Sequence, residues 1–219
     1  MVAILPLALG VATYGFAFGV LASEAAFSPF AIGTMGVVVF AGSSQIAAVD
    51  QFLSSGTVIG AALAGAALNL RYIGIAASMT PVLKELRWPT RLLALQYATD
   101  ENFGLTLAER AKDPSVGGYF LLGSGLTIMV FWVTSTVAGA LIGQAVPDLD
   151  RFGIGFAFTA AFIAMARAMW PGRQALIPWI ATFAITIALV KLGLATAAAL
   201  IIGAISGVAI DFLVNRDDP

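Results

Sequence analysis

Apolar runs of about 20 residues follow one another along almost the whole chain, and this pattern constrains the fold more than any other feature. A helix needs roughly 20 apolar residues to cross the hydrocarbon core of a bilayer. Soluble domains carry roughly 25% charged residues, whereas this chain of 219 residues is 11% charged and 60% hydrophobic, with a mean hydropathy of +0.96. Such a chain has too much apolar surface for one water-soluble core. We therefore predict an all-α polytopic membrane protein that forms a single transmembrane domain over residues 1–219.

Seven to eight hydrophobic helical segments are expected from the order of apolar runs and polar loops. They are Ala3–Ala22, Phe30–Val49, Thr57–Leu83, Trp88–Ala108, Tyr119–Ile142, Phe152–Trp170, Ala175–Val190 and Leu194–Leu213. The third is too long for one untilted span and carries Asn69 and Arg71 in its middle, which predicts a helix broken near Leu68–Tyr72. Lys191 and Gly193 interrupt the last apolar region, and each break is compatible with a kinked span or a re-entrant hairpin. Basic residues are nearly balanced between alternate loops, so the positive-inside rule does not select an orientation.

The two halves of the chain resemble each other in pattern. A Gly-rich run, a Pro-containing loop and a Gly/Phe-rich run occur at residues 3–50 and again at 119–170. Each is followed by an apolar region that a charge interrupts, Arg71 in the first half and Lys191 in the second. Internal repeats with paired interrupted helices are typical of secondary transporters, where the interruptions mark the binding site. The predicted organisation is repeat 1 at 1–85, a connecting span at 87–112 and repeat 2 at 117–214, with matching breaks near Leu70 and Leu192.

Three polar stretches lie inside the apolar runs: Phe40-Ala-Gly-Ser-Ser-Gln45, Asn69-Leu-Arg71 and Thr99-Asp-Glu-Asn102. Polar groups are costly in hydrocarbon because they find no water there. They must face a protein interior or a water-filled cavity, so we predict that the three stretches converge on one site. Three adjacent polar residues after Gly42 cover most of a helix circumference. This favours a locally unwound, cavity-lining segment there over simple hydrogen bonding between helices.

A charged side chain at mid-bilayer costs about 3 kcal/mol on insertion scales, so Arg71, Asp100 and Glu101 require an explanation. One explanation is structural, an Arg–carboxylate bridge between the third and fourth spans. That bridge leaves the second carboxylate unpaired, because adjacent side chains diverge by about 100° on a helix. We predict that one acid holds the scaffold and that the other binds substrate or titrates, and we assign the second role to Glu101 because its side chain is longer. The candidate substrate-binding residues are Gly42, Ser43, Ser44, Gln45, Asn69, Arg71, Asp100 and Glu101.

Other functional classes find less support in the sequence. The chain has no cysteine and no histidine, which removes disulfides, iron–sulfur ligation, the commonest metal ligand and a Ser–His protease. Asp100 is the one central aspartate, and a Ser–Lys dyad using Lys191 has nothing else in its favour, so we do not expect an enzyme. We expect no cofactor, no metal site and, at a net charge of −1, no nucleic-acid partner. A passive channel or a structural membrane subunit stays open as the alternative.

Two further expectations concern surfaces. Pairs of small residues permit close helix packing, and the pairs exceed what one chain would be expected to use, so we predict that at least one meets another subunit. These pairs are Gly15/Gly19, Gly139/Gly143 and Gly203/Gly207. Tryptophan is typical of lipid-facing and interfacial positions, and we assign Trp88, Trp132, Trp170 and Trp179 to such positions.

The motifs, in this order, resemble the signatures of the AzlC family over nearly the whole chain. They are Leu5-Pro-Leu-Ala-Leu-Gly10, Phe40-Ala-Gly-Ser-Ser-Gln45, Leu68-Asn-Leu-Arg71 and Thr99-Asp-Glu101. The resemblance implies the large subunit of an exporter of leucine, isoleucine, valine and methionine in the bacterial cytoplasmic (inner) membrane. It also implies a small hydrophobic AzlD-type partner subunit, and it leaves open a homo-oligomer of the heteromer. The family often has His after the Asn-Leu-Arg motif, where this chain has Tyr72, so a mechanism with an imidazole at that position is in doubt.

The chemistry of the polar stretches is compatible with an amino-acid substrate. A zwitterion requires a cation or helix N-termini for its carboxylate, which Arg71, Asn69 and the backbone of Gly42–Ser44 offer. It requires an acid for its ammonium group, which Asp100 or Glu101 offers. Since no ATP-binding motif is recognisable, the driving force is expected to be the proton gradient, another ion gradient or the substrate's own gradient.

Overall fold

The structure is a computed structural model that describes residues 2–145 and 172–215, together with the single positions 163, 167 and 170. Every regular element within these ranges is helical. The α-helices are α1 (Leu5–Glu24), α2 (Pro29–Val38), α3 (Gly42–Ser55), α4 (Val58–Asn69), α5 (Arg71–Leu83), α6 (Trp88–Gln96), α7 (Asp100–Lys112), α8 (Gly118–Ala145), α9 (Leu176–Lys191) and α10 (Thr196–Val214). The predicted sixth span, Phe152–Trp170, lies outside the two ranges.

The centre of the fold is a close pair of parallel helices, α1 and α8. Gly15 lies beside Trp132 and Gly19 beside Thr136, so the chain runs in the same direction along both helices. A Cβ atom at Gly19 would collide with the backbone carbonyl oxygen of Thr136, which means that the two backbones are in contact there. Glycine permits this approach because it has no side chain to separate the helices.

The predicted second span, Phe30–Val49, does not cross the bundle but folds back on itself. α2 starts next to the end of α1, and Gly36 near its own end lies against Trp132 at the middle of α8. α3 then returns, since Phe52 near its end packs with its ring centroid 6.0 Å from that of Phe27, which follows α1. Helices α2 and α3 therefore form a re-entrant hairpin, here called the first hairpin, that enters at the end of α1.

The predicted fourth span, Trp88–Ala108, is also a hairpin, and it enters from the opposite end of the bundle. Leu86, just before α6, lies against Gly118 at the start of α8, and Tyr97 at the end of α6 lies against Gly125. α7 then returns to the starting level, because a short loop joins its end to the start of α8. Helices α6 and α7 are here called the second hairpin.

The tips of the two hairpins meet in the middle of the bundle. Between α2 and α3, Phe40 adopts a φ of 43°, in the left-handed region, and its ring packs edge-on against Tyr97 at a centroid distance of 5.4 Å. The side-chain amide of Gln96 donates a hydrogen bond of 2.9 Å to the carbonyl oxygen of Val38 at the end of α2. Our prediction that Phe30–Val49 and Trp88–Ala108 each form one span is wrong, because each segment turns back at a tip. Each tip receives its stabilising contacts from the other tip, which lies far away in the sequence.

At the predicted break near Leu68–Tyr72 the structure has an in-line interruption of a single residue. α4 ends at Asn69 and α5 begins at Arg71, while Leu70 between them keeps right-handed helical angles of φ −55° and ψ −29°. The chain direction is therefore maintained, and α4 and α5 together form a 26-residue apolar segment, Val58–Leu83, that is long enough to cross a membrane. This segment runs from the end of α3 to the start of α6, and so opposite to α1 and α8.

The other two breaks differ from the predictions in form. Gly42–Gln45 is not unwound: it is the first turn of α3, and the unwound residues precede it. The break at Lys191–Gly193 is a turn, with Gly193 at a φ of 88°, and it joins α9 and α10 into an antiparallel helical hairpin. The seventh and eighth predicted segments are therefore separate helices.

Each small-residue pair packs against a neighbouring helix of the same chain, and a contact of one of them with another subunit stays a prediction. A Cβ atom at any of these positions would collide with atoms of a neighbouring helix of the same chain. The neighbours are Ser135 for Gly15, Thr136 for Gly19, Phe16 for Gly139, Ser23 for Gly143, Thr186 for Gly203 and Thr182 for Gly207. The helix pairs that these contacts hold together are α1 with α8 and α9 with α10.

Large apolar side chains cover the outside of the bundle. Phe30 is 84% exposed and Ile59 is 75% exposed, which is compatible with contact to lipid. Within the described ranges, four segments are long and apolar enough to cross a membrane: Leu5–Glu24, Val58–Leu83, Gly118–Ala145 and Arg173–Lys191. The expected seven to eight segments are not reached there. The predicted repeat of 1–85 in 117–214 depends on residues 146–171, most of which lie outside the described ranges, and it stays a prediction.

Candidate functional site

The three polar stretches meet around the guanidinium group of Arg71. Its Nη1 atom forms an ion pair with Asp100 Oδ2 at 2.8 Å, and its Nη2 atom donates a hydrogen bond to Ser43 Oγ at 2.6 Å. The ring of Tyr72 lies 5.3 Å from Arg71 Cζ, within the range of a cation–π contact. Arg71, at the interruption of the crossing span α4–α5, therefore connects the tip of the first hairpin to the tip of the second.

The ion pair is partly accessible. The side chain of Arg71 is 29% exposed and that of Asp100 is 13% exposed. The Nε atom of Arg71 is buried and donates no hydrogen bond to the described residues. The predicted bridge between an arginine and one carboxylate is thus present, and Asp100 is its acid.

The two tips place equivalent residues against Arg71. Phe40-Ala-Gly-Ser-Ser-Gln45 aligns with Tyr97-Ala-Thr-Asp-Glu-Asn102, in which each residue stands 57 positions later, and Phe40 packs on its counterpart Tyr97. In this alignment Ser43 corresponds to Asp100, and both bind the same guanidinium group. The first tip is neutral and the second carries two acids, so the site is chemically asymmetric although its geometry is paired.

Glu101 has a separate environment from its neighbour Asp100. The hydroxyl group of Tyr14, on α1, donates a hydrogen bond of 3.2 Å to Glu101 Oε1. Among the described residues Glu101 forms no ion pair within 4.0 Å. Tyr14 is not among the predicted site residues, because a tyrosine within an apolar run carries no signal that it faces an acid 87 residues away.

The start of α7 is held in place by a capping box. The backbone N–H of Thr99 donates to Asn102 Oδ1 at 2.7 Å, and the backbone N–H of Asn102 donates to Thr99 Oγ1 at 3.4 Å. The Nδ2 atom of Asn102 also donates to the carbonyl oxygens of Tyr97 and Leu121, at 3.0 and 3.1 Å. Asn102 is fully buried, so this network fixes the helix turn that carries Asp100 and Glu101.

Ser44 and Asn69 connect the first hairpin to the crossing span. Ser44 Oγ donates to Asn69 Oδ1 at 2.5 Å, and a Cβ atom at Gly65 would lie 3.2 Å from the Ser44 carbonyl oxygen. Ser44 is 2% exposed, so this contact lies behind the accessible part of the site. Both residues are predicted site residues, and the structure pairs them with each other.

Gln45 and Gly42 contact α8 through Trp132. Gln45 Oε1 accepts a hydrogen bond of 3.1 Å from Trp132 Nε1, and a Cβ atom at Gly42 would lie 3.0 Å from the indole ring. The prediction that Trp132 faces lipid is wrong: it is 2% exposed and stacks on Phe18 at a centroid distance of 5.5 Å. The indole fits in the protein interior because Gln45 accepts its hydrogen bond and three glycines leave room for it. These residues lie outside α8, so the sequence of α8 could not predict the burial of Trp132.

The helix starts add to the electrostatics of the site. α3 begins without a side-chain cap, and the N-terminus of a helix carries a partial positive charge. α7 begins with Asp100 and Glu101 in its first turn, where acids are favourable. Positive and negative groups therefore face one partly accessible place, which is the arrangement that can hold both ends of a zwitterion.

Crossing helices with apolar outer faces, two re-entrant hairpins and an internal charged cluster define a polytopic membrane protein with a polar site inside the helix bundle. The chain belongs to the AzlC family: the family model described as "AzlC protein" matches residues 6–146, which include every residue of the site described above. Family membership and the named relatives indicate a role related to membrane transport.

Two relatives are also described as membrane proteins. An uncharacterized membrane protein of Archaeoglobus fulgidus is 29% identical over 171 residues, which cover 77% of this chain and 74% of the relative. An uncharacterized membrane protein of Haemophilus influenzae is 22% identical over 165 residues, which cover 75% of this chain and 67% of the relative. No solved structure shows significant similarity to the chain.

Proposed function

We propose that the protein is a secondary transporter that exports leucine, isoleucine, valine and methionine across the bacterial cytoplasmic membrane, coupled to the proton gradient. The observation that carries this proposal is the Arg71–Asp100 ion pair beside Glu101, at a point where two re-entrant hairpins and an interrupted span meet. Charges inside a membrane protein mark substrate or ion pathways, and interrupted helices mark the binding sites of secondary transporters. The substrate class is the one implied by the AzlC family.

The charged cluster supports a specific orientation of the amino acid. The carboxylate binds at the uncapped start of α3 and at Arg71, whose side chain is 29% exposed. The ammonium group or the coupling proton binds at Glu101, because Asp100 is already engaged with Arg71. The apolar side chain of the substrate lies along the apolar walls of the bundle. An enzymatic reaction has no part in this proposal.

The two hairpins supply a route for alternating access. They enter from opposite ends of the bundle, and Arg71 binds one residue of each tip, Ser43 and Asp100. Release of Ser43 frees the first hairpin and release of Asp100 frees the second, so that each side of the membrane has its own gate. A partner of the AzlD type, a small hydrophobic subunit, covers part of the exposed apolar surface in this proposal.

Transport of labelled leucine by purified protein in proteoliposomes tests the function. Liposomes are prepared with this chain alone and together with the small partner subunit, under an imposed pH gradient and without one. We expect a pH difference across the membrane to drive leucine flux. Unlabelled isoleucine and valine should inhibit this flux. The variant Arg71→Ala is the matched negative control, because it removes the group that joins the two tips.

The same experiment separates the proposal from the alternatives. Flux that follows only the leucine gradient, with no response to pH or to membrane potential, indicates a passive channel. No flux with or without the partner, in protein that remains folded, indicates a structural subunit.

A further inference from the structure

Glu101 lies next to the acid of the Arg71–Asp100 ion pair but forms no ion pair of its own among the described residues. Four charged or titratable groups lie around it: Tyr14 of α1, Arg71 and Tyr72 of α5, and Asp100 of its own helix. Arg71 is the one cation in this set, and an unrestrained Glu101 carboxylate would be attracted to it. Because Arg71 already pairs with Asp100 at 2.8 Å, the adjacent acid competes with Asp100 for the same guanidinium group.

The hydroxyl group of Tyr14 binds the Glu101 carboxylate and so opposes its movement towards Arg71. This hydroxyl group donates to Glu101 Oε1 at 3.2 Å from a different helix, α1. The ring of Tyr14 cannot move freely, because it packs against Trp132 at a centroid distance of 5.2 Å and a Cβ atom at Gly42 would already lie 3.1 Å from it. The hydroxyl is therefore a fixed donor, supported by the rigid α1–α8 pair.

We propose that Tyr14 is a positioning residue of the transport site, whose hydroxyl group keeps the Glu101 carboxylate away from Arg71 and available to the ammonium group of the substrate. This inference rests on the proposed function and adds a residue to it. A hydrogen bond to a carboxylate is charge-assisted and depends on the geometry of the donor. Loss of the hydroxyl therefore allows Glu101 to turn towards Arg71. This removes the acid from the ammonium group of the substrate, whereas the carboxylate loses only part of its site, because the start of α3 stays available to it.

The variant Tyr14→Phe tests the inference, because it removes the hydroxyl and keeps the ring packing against Trp132. Leucine flux is measured in proteoliposomes, together with its inhibition by two fragments of the substrate. Isoamylamine retains the ammonium group and lacks the carboxylate, whereas 4-methylpentanoate retains the carboxylate and lacks the ammonium group. We expect Tyr14→Phe to raise the KM for leucine and the inhibition constant of isoamylamine by about tenfold, the effect of one charge-assisted hydrogen bond. Inhibition by 4-methylpentanoate is expected to weaken less, because the start of α3 still binds its carboxylate when Glu101 competes for Arg71.

The variant Tyr119→Phe is the matched control, since it makes the same chemical change at a position that is 69% exposed on α8. The inference is overturned if Tyr14→Phe leaves the KM for leucine unchanged. It is also overturned if inhibition by isoamylamine and by 4-methylpentanoate weakens equally, which indicates a purely structural role. A shifted pH profile of flux with unchanged inhibition by isoamylamine also overturns the inference, because Glu101 then binds the coupling proton and not the ammonium group of the substrate. If the wild-type protein itself moves no leucine, the proposed function fails, which is a different result from the failure of Tyr14 alone.

Discussion

Adjacent acids in one helix turn can have different tasks when their partners differ. Asp100 pairs with Arg71, and Glu101 accepts a hydrogen bond from Tyr14. The divergence of neighbouring side chains on a helix was sufficient to predict such a division, but not the identity of both partners. Arg71 was predictable because a charge in an apolar run needs a counter-charge. Tyr14 was not, because nothing in its sequence environment distinguishes it from a lipid-facing aromatic residue.

The two acids should respond differently to neutralisation. Asp100→Asn keeps the shape of the side chain and removes the ion pair with Arg71, so we expect it to lower the free energy of unfolding by about 2 kcal/mol, less than for a fully buried pair. Glu101→Gln leaves that ion pair intact and should change stability little while it abolishes transport or flattens its pH dependence. Thermal unfolding in detergent and leucine flux measure the two effects. Two active amide variants with the wild-type pH profile would remove both acids from the mechanism.

At the scale of helices, breaks were predictable from the sequence only where polar or charged residues interrupt an apolar run. Asn69 and Arg71 lie at the centre of a run that is too long for one span, and the interruption at Leu70 was therefore expected. The break at Phe40 lies in an apolar stretch with no glycine or proline at the turn itself, and Phe40 takes up a positive φ because its ring is buried against Tyr97. A conformation that depends on a contact between distant segments cannot be read from the local pattern.

The close contact of α1 and α8 leads to a prediction about their glycines. Gly19→Ala should separate the two helices, since the new Cβ atom meets the backbone of Thr136, and we expect a loss of stability of about 1–3 kcal/mol. Gly10→Ala in the same helix is the matched control, because no atom lies within 4 Å of the position of its Cβ atom. Thermal unfolding of both variants in detergent checks this. Equal melting temperatures for the two variants would contradict the backbone contact at Gly19.

At the scale of the whole molecule, two hairpins from opposite ends of the bundle meet at one crossing span. The segments that look alike in sequence, Phe40–Gln45 and Tyr97–Asn102, belong to hairpins that enter from opposite ends. This is an inverted relation at a spacing of 57 positions, and it differs from the repeat of 1–85 in 117–214 that we predicted. The predicted repeat compares long apolar runs, whereas the hairpins are recognisable only once the chain direction in space is known.

The inverted arrangement predicts which loops share a side of the membrane. Both ends of the first hairpin lie at the end of α1, so the single-cysteine variants Ala26→Cys and Ser54→Cys should react with a membrane-impermeant maleimide from the same side. Both ends of the second hairpin lie at the start of α8, so Glu85→Cys and Ser115→Cys should react only from the other side. The chain contains no cysteine of its own, which makes each variant a clean reporter in oriented vesicles. Two continuous spans in place of the hairpins would give the opposite result, with Ala26→Cys and Ser54→Cys labelled from different sides, because each hairpin would then carry the chain across the membrane instead of returning it.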